Sequence, residues 1–202
     1  MSQNYDWYVD GAVKTKSPNY DSDAINPDLV HAIFGIVTEA AEFMEGVDGK
    51  DTFFADRVNL KEEIGDICWY LAIAQKHYND QGQDVDIFGQ EEYDIEFKKV
   101  DTFCQKLIIT AGELTDVVKR SFYYGKGKET PTIEDLPCLF MKTFKICKSL
   151  SIMLNADIDG IMKTNLEKLQ ARFPEKFETE QVFNRDLQKE RKVLEQKQET
   201  SP

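Results

Sequence analysis

Apolar residues in this chain recur at spacings of three and four, and strand-like alternation is scarce. That period suits an α-helix with one buried face. Ile33, Val37, Ala40, Ala41 and Met44 predict a first helix. It opens at Asn26-Pro27-Asp28, a cap followed by a proline and an acid in the first turn, and ends at Gly46 and Gly49. A second helix is expected from about Val58 to Asn79, with Ile64, Ile67, Cys68, Leu71 and Gln75 along it, followed by a polar loop over 80–91. Val100, Phe103, Leu107, Ala111, Leu114 and Val118 mark a third helix, from near Glu92 to the stop at Gly125-Lys126-Gly127-Lys128. Pro131-Thr132 opens a fourth, with Phe140, Phe144, Cys147 and Leu154 on one side. A short helix over 158–170, a break at Phe173-Pro174 and a charged helix over about 179–196 complete the chain. The expected fold is an all-α, antiparallel bundle of helical hairpins. Its limits are an irregular arm at 1–26, a bundle at 27–178 and a charged C-terminal helix and tail at 179–202. A chain of 202 residues buries enough surface for such a core without metal or disulfide staples.

Charge narrows the partners. Asp and Glu number 37 against 25 Lys and Arg, a formal net charge of −12. Broad binding to nucleic acid or to an anionic membrane needs a cationic face, so neither is expected. No apolar run reaches the roughly 18 residues of a membrane span. Cys68, Cys104, Cys138 and Cys147 are scattered without a Cys-x-x-Cys pair, which suits reduced thiols and a cytoplasmic setting. Two tempting motifs fail. Gly125-Lys-Gly-Lys128 lacks the P-loop spacing, and Val85 stands where a calcium loop requires glycine.

The acids themselves are patterned. The first helix carries Glu39-Ala-Ala-Glu42 and the second Glu63-Ile-Gly-Asp66. A spacing of i, i+3 puts both members of each pair on one face, a turn apart. Those faces also carry apolar residues, so the acids point at or near the bundle interior. Four unpaired carboxylates converging there would repel one another and lose hydration. A hard divalent cation relieves this, and Mg²⁺ takes oxygen ligands while keeping positions for water and phosphate. Mn²⁺ is an expected substitute. Gly65 is costly inside a helix, by about 1 kcal/mol relative to alanine, and allows close approach of another element. A di-iron bundle is the nearest rival, but it wants Glu-x-x-His on two helices, and His31 and His77 lie in no such motif. Solvated acidic faces are the bland alternative.

These residues resemble a family. His31-Ala-Ile-Phe-Gly-Ile-Val-Thr-Glu-Ala-Ala-Glu42, Val58-Asn-Leu-Lys-Glu-Glu-Ile-Gly-Asp-Ile-Cys-Trp-Tyr-Leu71 and Asn165-Leu-Glu-Lys-Leu-Gln-Ala-Arg-Phe-Pro-Glu-Lys-Phe177, followed by Asn184-Arg-Asp186, look like the MazG-like all-α nucleoside triphosphate pyrophosphohydrolases, of the phage and bacterial type. The resemblance covers nearly everything from about residue 29 to 194. It implies hydrolysis of a (deoxy)nucleoside triphosphate to the monophosphate and pyrophosphate, in control of the nucleotide pool. Glu39, Glu42, Glu63 and Asp66 would be the metal ligands and catalytic acids. The resemblance also suggests an aromatic contact to the nucleotide from Tyr70, and phosphate or base contacts from Asn165, Lys168 and Arg172. For these, core packing and a surface ion-pair cluster are the alternatives. His31 is a further candidate substrate contact, or a structural histidine near the helix start.

A second, worn copy follows the first. Residues 109–126 look like the first acidic helix again, with Glu113 and Asp116 in place of Glu39 and Glu42. In the fourth helix Glu134, Pro137 and Phe140 take the places of Glu63, Asp66 and Trp69. Proline cannot coordinate a cation. The chain is therefore expected to hold an active hairpin at 27–80, a degenerate hairpin at 92–156 and a closing segment at 157–178. Such a chain would be a monomer imitating a dimer of hairpins, or a homodimer. The competing class is a non-catalytic regulatory module that binds nucleotide or metal. Four acids without matching bases also predict that Asp66→Asn relieves repulsion in metal-free protein.

Overall fold

A computed structural model describes residues 14, 17, 19–47, 56–89, 100–125, 132–173 and 186–196, and the described residues are all-helical. They form α1 (Pro27–Val47), α2 (Arg57–Asp80), α3 (Val100–Tyr124), α4 (Leu136–Met153), α5 (Ile158–Arg172) and α6 (Leu187–Gln196). A single 3-10 turn, Ile133–Asp135, leads into α4.

The ends follow local chemistry. The Asn26 Oδ1 accepts from the Asp28 amide at 2.8 Å, so α1 begins at the cap and proline read from the sequence. Asp56 caps α2, accepting from the amides of Val58 and Asn59 at 3.1 and 3.2 Å. Asp157 caps α5 through the Gly160 amide. The fourth helix starts later than expected from Pro131-Thr132. Thr132 and Asp135 close a capping box around the 3-10 turn, which uses up those residues before the α-helix begins. Expected starts near Glu92 and near 179, and the stops at Gly49 and Gly127, lie outside the described residues.

Each long helix buries one stripe. Leu29, Ile33, Ile36, Ala40, Phe43 and Val47 of α1 step by four and three, as do Leu60, Ile64, Ile67, Leu71, Ala74 and Tyr78 of α2. Leu136, Phe140, Thr143, Cys147, Leu150 and Leu154 continue the pattern through α4. This is the seam of nearly aligned helices, and each fully buried large side chain contributes about 1.5–3 kcal/mol. One core joins the apolar members of these stripes with Phe103, Leu107, Leu114 and Val117 of α3.

Helix α1 packs on α2 and α3, and α2 packs on α4 as well. With α3 against α4, the four form a closed ring of neighbours. Helix α5 lies on α2, and α6 lies on α5 and touches α2. Thus α2 receives neighbours on several sides, which is what places the site. No described helix is long and apolar enough to cross a membrane.

Candidate metal centre and its groove

Glu39 and Glu42 leave the flank of the apolar stripe of α1, between Ile36 and Val47. Glu63 and Asp66 leave the facing flank of α2, beside Ile64 and Ile67. Carboxylate oxygens of Glu39, Glu63 and Asp66 come within 4.8 Å of one another. Glu63 is only 5% exposed. Glu42 is exposed and stands outside this close triple, yet it lines the same groove and acts on Glu39 and Glu63 through its charge.

The electrostatics are those of crowded acids. Burial, a hydrogen bond to Glu39 and the charges of Glu42, Glu39 and Asp66 push the Glu63 carboxyl up to about 9. Glu39 is also raised, first by burial and then by Asp66 and Glu42. Both shifts favour a proton held between Glu63 and Glu39.

One cation already reaches into the cluster. Lys168 of α5 is 1% exposed, and its Nζ donates to both oxygens of Asp66, at 2.8 and 2.6 Å. It also donates to Glu62 Oε1 at 3.1 Å. Asn165 Nδ2 donates to Asp66 Oδ1 at 2.6 Å. The approach of α5 depends on Gly65. A Cβ there would fall 2.9 Å from the Asn165 Cβ, a distance real Cβ atoms essentially never show.

An aromatic shelf borders the acids. Tyr70 lies edge-on to His31 and Trp69, with ring centroids 5.5 and 5.0 Å away. Gly35 makes room for it, since a Cβ at that position would meet the Tyr70 ring at 2.2 Å. Burial, then the charges of Glu39, Asp66 and Glu42, raise the Tyr70 hydroxyl. Shelf and carboxylates line one groove of about 1270 Å³, which Leu166 and Arg172 of α5 and residues of α6 also line.

The structure thus brings Glu39, Glu63, Asp66, Asn165 and Lys168 into contact, with Glu42, Tyr70 and His31 around them. Arg172 lines the groove but is engaged elsewhere: Nε and Nη2 donate to the two carboxylate oxygens of Glu190 at 2.9 and 2.5 Å. Three participants were not singled out from the sequence. Trp69 adjoins Tyr70 and was marked in the sequence only as the counterpart of Phe140 in the second copy, not as part of the site. Glu62, the second seat of Lys168, was hidden beside Glu63. Gly35 carried the same signal as Gly65, a glycine inside a strongly helical pattern.

The donor set suits a hard divalent cation. Three carboxylates converge, their crowding raises the two nearest, Glu39 and Glu63, and the groove is wide enough for a further oxygen-bearing ligand. No model of a protein family, no curated protein and no solved structure matches the chain.

Proposed function

We propose that the chain is a Mg²⁺-dependent nucleoside triphosphate pyrophosphohydrolase of the MazG-like type, with Mn²⁺ able to substitute. The observation that carries this reading is the convergence of Glu39, Glu63 and Asp66 in a groove that also holds an aromatic shelf. Glu39, Glu63 and Asp66, with Glu42 at the rim, would hold the cation. Bound there, it would neutralise triphosphate charge and favour release of pyrophosphate.

The chain's own residues supply the rest. The His31, Trp69 and Tyr70 rings offer flat apolar faces and edges against which a base can stack. Glu42 is the exposed carboxylate of the group, and so the one placed to orient or deprotonate a water entering from the groove. Asn165 fixes the rotamer of Asp66. Base identity would be decided by the shelf and by α6.

The packing supports the reading of α3 and α4 as a degenerate second copy. Helix α1 lies on α3 and α2 lies on α4, as two like hairpins related by a pseudo-twofold axis would meet. A monomer would then complete its own bundle. A binding module without turnover is the second reading. It is favoured by the engagement of both Asp66 oxygens by protein donors.

Incubation with a panel of nucleoside triphosphates and Mg²⁺, followed by product identification, tests both readings. Monophosphate and pyrophosphate are expected. Orthophosphate would overturn the bond specificity, and absence of turnover with retained binding would favour the module.

A further inference from the structure

Lys168 is an unusual neighbour for a metal site. It is nearly inaccessible, it saturates both oxygens of one ligand, and it has a second acid, Glu62, within hydrogen-bond reach. Two more carboxylates, Glu39 and Glu63, converge with Asp66, and Glu42 lines the same groove. A buried ammonium is retained only when paired, so Lys168 must always sit on at least one of its two acids.

We propose that Lys168 is the resident counter-cation of this site, which seats on Asp66 in the metal-free protein and withdraws to Glu62 when a divalent cation takes Asp66. The proposal rests on the metal reading above, and Lys168 is a positioning residue in it. On Asp66 the ammonium balances the acids and keeps α5 locked on α2. It also sets a threshold, because an entering ion must outcompete a charge already in hydrogen-bond contact. A dication gains more from the cluster than the ammonium loses, whereas a monovalent ion of equal charge gains no such advantage. Glu62 is the waiting seat that makes the exchange possible without stranding a buried charge.

This assigns opposite signs to two neighbouring substitutions. Lys168→Met removes the competitor while nearly preserving volume, so Mn²⁺ should bind about tenfold more tightly, by the Coulomb term of one unit charge a few ångströms away. Glu62→Gln removes the waiting seat, so Mn²⁺ should bind several-fold more weakly. In a Lys168→Met background Glu62→Gln should have little further effect, because the seat no longer has an occupant. The experiment is titration of the full chain with Mn²⁺ alone at pH 8, read by the paramagnetic signal of free Mn²⁺, on wild type, both single variants and the double variant. Melting temperatures with and without Mn²⁺ give a second readout. Lys168→Met should melt lower without the ion and gain more from it.

Wild type that binds Mn²⁺ together with a Lys168→Met that binds equally or less tightly overturns the exchange and leaves the metal reading intact. An equal penalty from Glu62→Gln in both backgrounds also overturns it, since Glu62 would then act only by its own charge. No binding by wild type or by Lys168→Met overturns both the exchange and the metal centre. Lys168→Gln repeats the test should the methionine variant not fold. If neither folds, unchanged Mn²⁺ affinity in Glu62→Gln overturns the proposal.

Discussion

The α1–α2 and α3–α4 hairpins carry similar acids and treat them in opposite ways. In the first, Glu39, Glu63 and Asp66 face one another, and their mutual field together with burial raises Glu39 and Glu63. In the second, Glu113 and Asp116 of α3 each have a cation of their own. Lys142 of α4 donates to Glu113 at 2.7 Å, and Lys119 and Arg120 both pair with Asp116 from the next turn of the same helix. Those two hydrogen bonds hold the Asp116 carboxyl below its usual range. Pro137 sits in the first turn of α4, where a proline is tolerated but supplies no ligand. Among the described residues the only close carboxylate cluster is that of the first hairpin. An acidic pattern becomes a candidate metal site when nearby cations are too few to neutralise it, and an ordinary surface when each acid meets a base.

The comparison breaks most readily at Glu63. Glu63→Gln should reduce nucleotide hydrolysis to background and remove the Mg²⁺-induced rise in melting temperature, because only the folded state assembles the ligands. A folded variant with wild-type turnover would place the chemistry elsewhere. Asp66→Asn should also be inactive, and should destabilise metal-free protein by about 1–2 kcal/mol in denaturant unfolding, since Lys168 loses its charged hydrogen bonds to Asp66 while keeping its pair with Glu62. Repulsion among the acids predicted the opposite sign from sequence. Unchanged or increased stability would mean that Lys168 does not depend on Asp66.

The raised carboxyl of Glu63 gives a pH signature. A group whose folded pKa lies above its unfolded value contributes stability below the unfolded pKa and loses it as pH rises through the folded one. With 4.5 and about 9 as the limits, the metal-free melting temperature should fall between about pH 5 and 9. Saturating Mg²⁺ or the Glu63→Gln substitution should flatten that slope. The smallest effect belongs to the second hairpin. Asp116→Asn, which breaks an exposed pair, should change stability by no more than about 1 kcal/mol and keep most of the turnover. Glu134→Gln should likewise retain a substantial fraction. If either were as inactive as Glu63→Gln while remaining folded, the two hairpins would share the work.

Much of the fold was legible because helix formation and burial leave a local mark. Asn26-Pro27 announced the start of α1, the stripes of α2 and α4 stepped by four and three, and Gly65 marked a close approach that Asn165 fills. In α1 the expected stripe was set partly off the core: Ile33 and Ala40 are buried, but Ala41 is exposed and Val37 and Met44 are half-buried, because Ile36, Phe43 and Val47 take the inner face. The pairs Glu39/Glu42 and Glu63/Asp66 were visible for the same reason, since a spacing within one helix fixes a shared face. Less legible were residues whose role depends on a distant partner. Nothing near Arg172 in the sequence says that it pairs with Glu190 of α6, and nothing near Lys168 says that it is buried on Asp66. The resemblance made both of them contacts to substrate; the structure places one against the Asp66 carboxylate and the other in an ion pair between helices.

The sequence by itself determined that the described residues are helical, which face of α2, α3 and α4 is apolar, and which acids share a face, because all three depend on the 3.6-residue period and on neighbours within a turn or two. Only the tertiary structure decided which acids meet and which cation serves them. That choice is made where α1, α2 and α5 converge, by residues about a hundred positions apart in the chain, such as Asp66 and Lys168. Charge interactions fall off with distance in space and are amplified by burial, and neither quantity is written in the order of the residues.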